Sequence, residues 1–198
     1  MNESNKLTLL FATHNPNKVE EMRSILGNKH HILSLTDAGI SQSLEEPFDT
    51  LEDNARAKCS AVYQLTGTSC FSEDTGLFTK ALGGRPGVHS ARYAGEKANA
   101  DDNIKKLLEE LSGHRNREAE FRTIICLVFG GREYFFEGIC PGAILENPRG
   151  RNGFGYDPVF IPEGSDKTFA EMTLPEKSVF SHRKKALAKL IGFLENNV

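Results

Sequence analysis

Cysteine is scarce in this sequence, and its spacing excludes two kinds of stabilising site. The 198 residues include four cysteines, and no two of them form a CxxC pair: Cys59, Cys70, Cys126 and Cys140. This spacing fits neither a zinc site nor the dense disulfide framework of a small secreted domain. A chain of this length buries enough surface to fold without such crosslinks. We therefore expect reduced thiols and a cytoplasmic protein.

A surplus of basic residues is also missing. The chain carries 24 Lys and Arg against 27 Asp and Glu, which gives a net charge of −3. A protein that coats nucleic acid needs a basic face, so nucleic acid is not the expected partner. An anionic small molecule stays open as a ligand.

Long hydrophobic runs are absent as well. No run approaches the ~18 apolar residues that span a membrane. The N-terminal run Leu7 to Ala12 is six residues long, follows acidic Glu3 and has no small-residue cleavage site. We therefore expect neither a signal peptide nor a membrane partner.

The N-terminal part of the chain alternates apolar runs with amphipathic segments, which is the pattern of an α/β protein. The run Leu7 to Ala12 predicts a strand buried on both faces. A helix is predicted from Asn17, with Pro16 near its start and Gly27 just past its end. A second strand is predicted over His31 to Leu35.

The segment after Thr50 has the clearest helix signals. Thr50-Leu51-Glu52-Asp53 has the form of a capping box, and Gly67 marks the end of the helix. Lys58 lies off the centre of the helix's apolar stripe. This stripe consists of Leu51, Ala55, Cys59, Val62 and Leu65.

Acidic residues cluster around a buried strand predicted over Ser69 to Ser72. Glu73 and Asp74 are expected at the C-terminal end of this strand, where open α/β sheets place ligands. Clustered carboxylates suit Mg²⁺, which takes one or two protein carboxylates together with substrate phosphates. Solvated loop or cap charge is the simpler interpretation for three further acids: Glu45, Asp49 and Glu52.

The second half of the chain continues the alternation. A loop is predicted over Gly83 to Gly87, followed by an amphipathic helix that carries Ile104 to Leu111. Two alternating segments around Gly130-Gly131 predict a hairpin. The last helix is predicted from Ser181 to Glu195, with one apolar face.

The segment Thr13-His14-Asn15-Pro16-Asn17-Lys18 joins the first predicted strand to the first helix. Its backbone amides and the positive end of the helix suit a phosphate, and Lys18 adds a point charge. The glycines and the Lys-Ser/Thr pair of a Walker P-loop are absent, so kinase and GTPase functions lose their main support. The alternative is an ordinary turn capped by Asn15 or Asn17.

A glycine-rich loop, Arg149 to Asp157, runs towards a further predicted strand. Such a loop can lay its backbone against a planar base, with Phe154 stacked on a purine and Asp157 hydrogen-bonded to the base edge. Ordinary hairpin packing of Phe154 and Tyr156 is the alternative.

Three basic side chains precede or open the last helix, namely Lys177, His182 and Arg183. Cations in a first helical turn oppose the helix dipole, so they need another reason to be there. An anion or an electron-rich base edge supplies one. Lys184 and Lys185 are interpreted as a solvated face.

In their order along the chain, these segments resemble one known family. It comprises the pyrophosphatases for deaminated purine nucleoside triphosphates, also called inosine triphosphatases or dITP/XTP pyrophosphatases. The resemblance covers nearly the whole chain, and the ordered set is specific although each segment alone is weak. The segments are Thr13 to Lys18, Glu45-Glu46 with Asn54 and Lys58, Ser72 to Leu77, Gly87 to Tyr93, Phe154 to Asp157, Lys177, and Ser181 to Arg183.

The resemblance implies an elongated α/β protein with a long curved mixed sheet, flanking helices and two lobes around a central cleft. It implies a single bilobed domain over residues 1–198, a homodimer and dependence on Mg²⁺. Glu46 and Asp74 are the implied metal ligands, and Asp74 is also the implied proton acceptor. The implied substrate-binding residues are Thr13, His14, Asn15, Pro16, Asn17, Lys18, Thr75, Phe154, Gly155, Tyr156, Asp157, Lys177, His182 and Arg183.

Three places depart from the pattern common in this family. Glu73 stands where Asp is commoner, and Thr75 stands where Ser is commoner. Pro47-Phe48, which follow Glu46, differ from many relatives. Asp74 itself matches the pattern.

The implied activity is hydrolysis of ITP, dITP and XTP to the monophosphate and pyrophosphate, which clears deaminated purines from the nucleotide pool. Two alternatives stay open: a non-catalytic purine nucleotide sensor, and a related pyrophosphatase for modified pyrimidine or thymidine triphosphates. The acidic pair Asp74 and Glu46 favours catalysis. Phe154 to Asp157 and His182-Arg183 favour a purine base.

Overall fold

In a computed structural model that describes residues 7–26 and 30–197, seven strands form one sheet with five α-helices. The strands are β1 (Thr8–Phe11), β2 (His31–Ser34), β3 (Cys70–Thr79), β4 (Pro86–Gly87), β5 (Glu118–Phe129), β6 (Arg132–Ile144) and β7 (Phe160–Pro162). The helices are α1 (Pro16–Leu26), α2 (Leu51–Thr66), α3 (Ala100–Glu110), α4 (Leu174–Phe180) and α5 (His182–Asn197).

The sheet is mixed, with the strand order β2-β1-β3-β5-β6-β7 and with β4 paired to β3. Strand β1 runs parallel to both of its neighbours, with Leu10 beside Leu33 of β2 and beside Cys70 of β3. The β3–β4 and β6–β7 pairs are antiparallel. The prediction of an α/β protein with a mixed sheet and flanking helices is confirmed.

The chain divides into two compact units. Unit 1 contains the described residues up to Asp74, then Ile124–Glu137, and those from Arg183 onward. Unit 2 contains Thr75–Thr123 and Gly138–His182. Each unit has a hydrophobic core of its own.

Strand β1 carries the core of unit 1 on both of its faces, as its unbroken apolar run predicts. Successive side chains of a strand point to opposite faces, so Leu9 and Phe11 share one side and Leu10 and Ala12 the other. The first pair belongs to a cluster with residues of α1 and α5, and the second pair to a cluster with residues of α2. The segment that follows β1 is thereby anchored by a strand whose last three residues are buried.

The core of unit 2 is rich in aromatic rings. The ring of Phe121, on β5, lies edge-on to Phe160 at 4.6 Å and stacks against Phe169 at 6.1 Å between ring centroids. Apolar residues of α3, including Ile104 and Leu107, belong to the same cluster. The predicted amphipathic helix in this region is therefore confirmed.

The predicted ends of α2 are confirmed, but one residue of its apolar stripe is not buried. The Thr50 hydroxyl accepts a hydrogen bond from the Asp53 amide at 3.0 Å, and Gly67 ends the helix in the left-handed conformation. Leu65 is 56% exposed, so its assignment to the buried stripe was wrong. It lies in the last turn of the helix, beyond the four stripe residues that are buried. Gly27, which was predicted to lie just past the end of α1, is outside the described residues.

The prediction that Glu73 and Asp74 lie at the end of a short strand is wrong, because β3 continues to Thr79. The pairing of β3 with β1 stops at Phe71, and further along β3 Leu77 pairs with Gly87 of β4. Gly76 permits this second pairing, since a Cβ atom there would lie 2.5 Å from the Gly87 carbonyl oxygen. The two acids therefore lie inside a strand, just beyond the last β1 partner.

The final part of the chain contains one helix more than predicted. The predicted last helix corresponds to α5, and the predicted hairpin to β5 and β6. Helix α4 precedes α5 and is capped by Thr173, whose hydroxyl and Glu176 complete a capping box. Ser181 lies between the two helices. In the described ranges we find no helix with the length and apolar character required to cross a membrane.

Candidate active site

The segment Thr13 to Lys18 links β1 to α1 as a turn that Asn15 caps. The Asn15 side-chain oxygen accepts hydrogen bonds from the amides of Asn17 and Lys18, at 3.0 and 3.3 Å. The capped turn that the sequence offered as an alternative is thus present. His14 donates from Nε2 to the Gln42 carbonyl at 2.9 Å. Pro16 is exposed, and Lys18 is partly exposed at the same end of the helix.

Lys18 belongs to a buried network of four charged groups in unit 1. Its Nζ lies 3.2 Å from Oε1 of Glu73, whose side chain is fully buried. Arg183 donates from Nε to both oxygens of Glu73, at 2.9 and 3.1 Å, and from Nη1 to Glu21 at 3.1 Å. Two cations therefore face two carboxylates, and this pairing offsets the cost of burying the four charges.

The network controls the ionisation of Glu73. Burial alone raises the pKa of a carboxyl, because it penalises the charged form. Arg183 and then Lys18 act in the opposite direction and are stronger together, so the pKa of Glu73 lies below its usual range. Glu73 is therefore an ionised anchor for two basic side chains, one of which is the predicted phosphate ligand.

Lys58 of α2 holds two carboxylates around one ammonium group. Its Nζ donates to Glu46, to the Glu73 carbonyl at 2.7 Å, and to Oδ1 of Asp74 at 3.4 Å. Burial lowers the pKa of Lys58, but Asp74 and Glu46 raise it by more, so the net shift is upward. Lys58 therefore stays charged, and Glu46 and Asp74 converge on the same point.

Asp74 is a buried carboxyl with a raised pKa. Burial is the largest cause, Lys58 opposes it, and the negative charge of Glu46 adds to it. Oδ2 of Asp74 accepts a hydrogen bond from the Asn54 side chain at 3.3 Å. A carboxylate that holds a proton more tightly than usual is a better proton acceptor.

The pair Glu46 and Asp74 fits the Mg²⁺ that the sequence predicts. Mg²⁺ usually binds through one or two protein carboxylates and completes its shell with waters and substrate phosphates. The two carboxylates converge on one cationic group, and their mutual repulsion is part of the raised pKa of Asp74. No cluster of three or more His, Cys, Asp or Glu side chains suited to a metal occurs among residues 7–26 and 30–197.

In unit 2, the glycine-rich loop is organised around Asp157. Its Oδ2 accepts from the Phe154 amide at 2.9 Å and from Nζ of Lys177 at 2.7 Å. Both side chains of the Asp157–Lys177 pair are almost fully buried. The Lys177 ammonium also lies 5.1 Å from the ring centroids of Phe154 and Phe169. One cation thereby fixes both the carboxylate and the aromatic ring that the sequence assigned to base recognition.

Gly153 is required by the close approach of this loop to Asp157. Its φ of +75° lies in the left-handed region, and a Cβ atom there would lie 2.0 Å from Oδ2 of Asp157. No other residue type leaves that oxygen where Lys177 and the Phe154 amide reach it.

Three more predicted substrate residues have defined surroundings in unit 2. Tyr156 is buried and donates from its hydroxyl to the Ser90 carbonyl at 2.9 Å, so its side chain is part of the core. The His182 ring is buried and stacks on Phe121 with 4.8 Å between centroids. The Thr75 hydroxyl lies 2.6 Å from that of Thr123. Gly155, partly exposed, lies in the loop between Phe154 and Tyr156.

Several residues of these clusters were not assigned roles from the sequence. Asn54 entered only through the resemblance, Lys58 was otherwise placed only off the centre of the apolar stripe of its helix, and Glu21 did not enter at all. A signal was available for Asn54 and Lys58, because they follow Leu51 at helical spacing and so share its buried face. The Thr173–Glu176 capping box was likewise readable as the start of a helix that carries Lys177.

Comparison with known proteins identifies the family. Residues 9–193 match the model of the Ham1 family. The chain belongs to the Ham1 family. Among its curated relatives, the dITP/XTP pyrophosphatase of Flavobacterium johnsoniae is 49% identical over 95% of this chain and 98% of its own length. The dITP/XTP pyrophosphatase of Porphyromonas gingivalis is 50% identical over 94% of this chain and 96% of its own length.

Solved structures of Ham1 proteins share the fold. The Ham1 protein of Staphylococcus aureus superposes with a TM-score of 0.86 at 33% identity, covering 96% of this chain and all of its own. The nucleoside-triphosphatase or dITP/XTP pyrophosphatase of Mycobacterium abscessus gives a TM-score of 0.74 at 39% identity, covering 92% of this chain and 98% of its own. The family resemblance drawn from the sequence segments is thereby confirmed.

Proposed function

We propose that this Ham1 family protein hydrolyses deaminated purine nucleoside triphosphates, namely ITP, dITP and XTP, to the monophosphate and pyrophosphate. The relatives named dITP/XTP pyrophosphatase, which match almost the whole chain, support this activity. The observation that carries the proposal is the convergence of Asp74 and Glu46 on Lys58, beside the network of Lys18.

The reaction requires water to attack the α-phosphorus. A bond forms between the water oxygen and this phosphorus, the bond to the bridging oxygen breaks, and pyrophosphate leaves with that oxygen. We assign to Asp74 the acceptance of the proton that the water loses. Lys18 neutralises charge on the phosphate oxygens, and its own position is set by Glu73.

A divalent cation completes this site, since pyrophosphatases of this class generally depend on a metal ion. Glu46 and Asp74 are the residues that would hold Mg²⁺, which supplies positive charge against the developing charge on the phosphates. Lys58 donates to both of these carboxylates. Within the segment Thr13 to Lys18, we assign the binding of the phosphates to the exposed surface at the start of α1 and to the Lys18 ammonium.

We assign the recognition of the base to residues of unit 2. Asp157, as a carboxylate, only accepts hydrogen bonds, and this suits the N1–H group of hypoxanthine and xanthine. Adenine presents an acceptor at N1 and a donor at its six-position, so it mismatches both Asp157 and any donor placed for O6. Phe154 provides a ring for stacking, and Lys177 holds Asp157 and Phe154 in place. We also assign His182 and Thr75 to the recognition of the base. Arg183 belongs to unit 1, where it anchors Glu73.

Three further properties belong to the proposal. We treat the two units as the two lobes of one catalytic domain over residues 1–198. We propose a homodimer, as the family resemblance implies. We place the enzyme in the cytoplasm, where nucleotides are made and thiols stay reduced, and this agrees with the four free cysteines.

Hydrolysis of ITP in water enriched in the heavy oxygen isotope tests the bond that is broken. We expect the label in IMP and none in pyrophosphate, by mass spectrometry. Label in orthophosphate together with IDP would show attack at the γ-phosphorus and overturn the proposal. Pyrophosphate release from ITP, XTP, ATP, GTP and dUTP, with and without Mg²⁺, separates it from the alternatives. A sensor releases none, and a pyrimidine enzyme prefers dUTP.

A further inference from the structure

Asn54 makes three hydrogen bonds with one buried side chain. Its Oδ1 accepts from the Phe48 amide at 2.9 Å, and its Nδ2 donates to the Phe48 carbonyl at 3.0 Å. The same Nδ2 donates to Oδ2 of Asp74 at 3.3 Å. The residue is 1% exposed. Both amide hydrogens and the amide oxygen are thus engaged, which is the full donor capacity of the side chain.

These bonds connect two parts of the chain that differ in secondary structure. Asp74 lies within strand β3, whereas Phe48 belongs to an exposed segment before α2 that forms no helix or strand. Glu46 lies two residues before Phe48 in that segment. By binding both backbone groups of Phe48, Asn54 ties the acidic segment to a fixed helix and to the Asp74 carboxylate.

We propose that Asn54 is a positioning residue that sets Glu46 and Asp74 at the separation at which they bind one divalent cation. This inference rests on the proposed function, because it assigns the two carboxylates to that cation. Pro47-Phe48 depart from the common family pattern, and the two hydrogen bonds between Phe48 and Asn54 both use the Phe48 backbone. The link therefore does not depend on the side chain at that position.

A matched comparison exists within the same molecule. Asn103 is also buried near the start of a helix, and it also holds a loop by both ends of its amide. Its Oδ1 accepts from the Ala94 amide at 2.7 Å, and its Nδ2 donates to the Ala91 carbonyl at 3.1 Å. Asn103 holds the segment before α3, which is a different segment from the one that contains Glu46. A substitution of Asn103 therefore shows how much stability is lost when an amide that holds a loop is removed and the two carboxylates are left unchanged.

The test is a titration of the purified protein with Mn²⁺ alone, followed by the electron paramagnetic resonance signal of free Mn²⁺, with Mg²⁺ as a competitor. We expect Asn54→Ala to raise the dissociation constant about 10- to 100-fold, the usual effect of removing a group that orients a metal ligand. Asn54→Gln keeps the amide but displaces it by one methylene, so it should raise the constant as well. Asn103→Ala should lower the melting temperature and leave the constant within about twofold of the wild type.

Two results would overturn the inference. One is a folded Asn54→Ala or Asn54→Gln protein whose Mn²⁺ affinity stays within about twofold of the wild type. The other is seen in the wild type alone: the Phe48 amide should be protected in hydrogen exchange, and exchange at the rate of an open loop would show that Asn54 does not hold it. Neither result depends on turnover. Wild-type protein that binds Mn²⁺ but releases no pyrophosphate from ITP would instead refute the proposed function and leave the positioning role intact.

Discussion

The Arg183 guanidinium donates from Nε to both carboxylate oxygens of Glu73, at 2.9 and 3.1 Å, with both side chains withdrawn from solvent. A buried pair of this kind is weak evidence of net stabilisation, because desolvation offsets much of the attraction. Loss of one partner is a different matter. It leaves the other charge buried without compensation.

Arg183→Ala should therefore lower the free energy of unfolding by about 3–5 kcal/mol, since Glu73 and Glu21 lose their shared cation. Urea denaturation followed by circular dichroism measures this. The exposed Arg115 provides the control, and Arg115→Ala should cost less than about 0.5 kcal/mol. Equal costs for the two variants would contradict the role of Arg183 as an anchor.

The pKa of Glu73 predicts how this anchor responds to acid. Burial opposes the charge, but Arg183 and Lys18 lower the pKa of Glu73 below its usual value of about 4.3. A carboxyl of this kind contributes full stability above its unfolded pKa and loses it as the pH falls through the lowered value.

The melting temperature of Glu73→Gln should therefore lie furthest below that of the wild type near neutral pH. The difference should shrink as the pH falls below about 4. A constant difference across the pH range would mean that Glu73 acts through packing and not through its charge.

Much of this arrangement was predictable from local sequence, and the exceptions have a common cause. Strand β1, the Thr50 cap and the Gly67 end of α2 depend on neighbours in the chain, and the sequence predicts all three. The extension of β3 beyond Ser72 depends on Pro86-Gly87 and on the space that Gly76 leaves for them. The pattern of apolar residues within β3 does not predict that pairing.

Lys18→Ala should weaken the binding of pyrophosphate by about 2–3 kcal/mol, because a charge-assisted contact to phosphate is lost. Isothermal titration with pyrophosphate and Mg²⁺ measures the affinity. The melting temperature should fall as well, since Nζ of Lys18 also lies 3.2 Å from Glu73. Lys184→Ala, on the exposed side of α5, is the control for charge alone. Unchanged affinity in Lys18→Ala would leave the segment as a capped turn only.

Asp74→Asn should reduce kcat for ITP at least ~100-fold, the low end of the effect expected for a general base. The substitution keeps the shape of the side chain but removes the proton acceptor and one ligand charge. Steady-state pyrophosphate release measures kcat, and circular dichroism confirms the fold. Turnover near the wild-type rate would remove Asp74 from the mechanism.

Gly153→Ala should lower kcat/KM for ITP about 100-fold, the scale of a 1 Å misplacement of a binding group. The added methyl would collide with Oδ2 of Asp157, which must then leave Lys177. Gly164→Ala is the matched control, because its φ is +84° and nothing lies within 4 Å of the new atom. It carries the backbone strain without the collision, so it should keep most of the activity. Similar losses in both variants would attribute the effect to strain.

The candidate site shows where sequence reasoning stops. Sequence reasoning assigns Asp74, Lys18 and Asp157 by residue type and context, and it places each of them in a suitable chemical setting. It does not show that Lys18 and Arg183 meet the same carboxylate, because that depends on three elements far apart in the chain. Partners of this kind are visible only once the chain is folded.

The ion pair of Glu73 with Arg183 also sets an order of events during synthesis. Unit 1 is assembled from three separate stretches of the chain, and the last of them supplies Arg183 and the apolar face of α5. At about 5–20 residues per second, the ribosome needs roughly 5 to 22 s to travel from Asp74 to Arg183. Both segments of unit 2 are synthesised during that interval, and the Glu73 carboxylate has no Arg183 guanidinium to pair with until the interval ends. A nascent chain that is released before Arg183 is synthesised therefore cannot complete unit 1. We expect chaperones and proteases to treat such a chain as an unfolded protein.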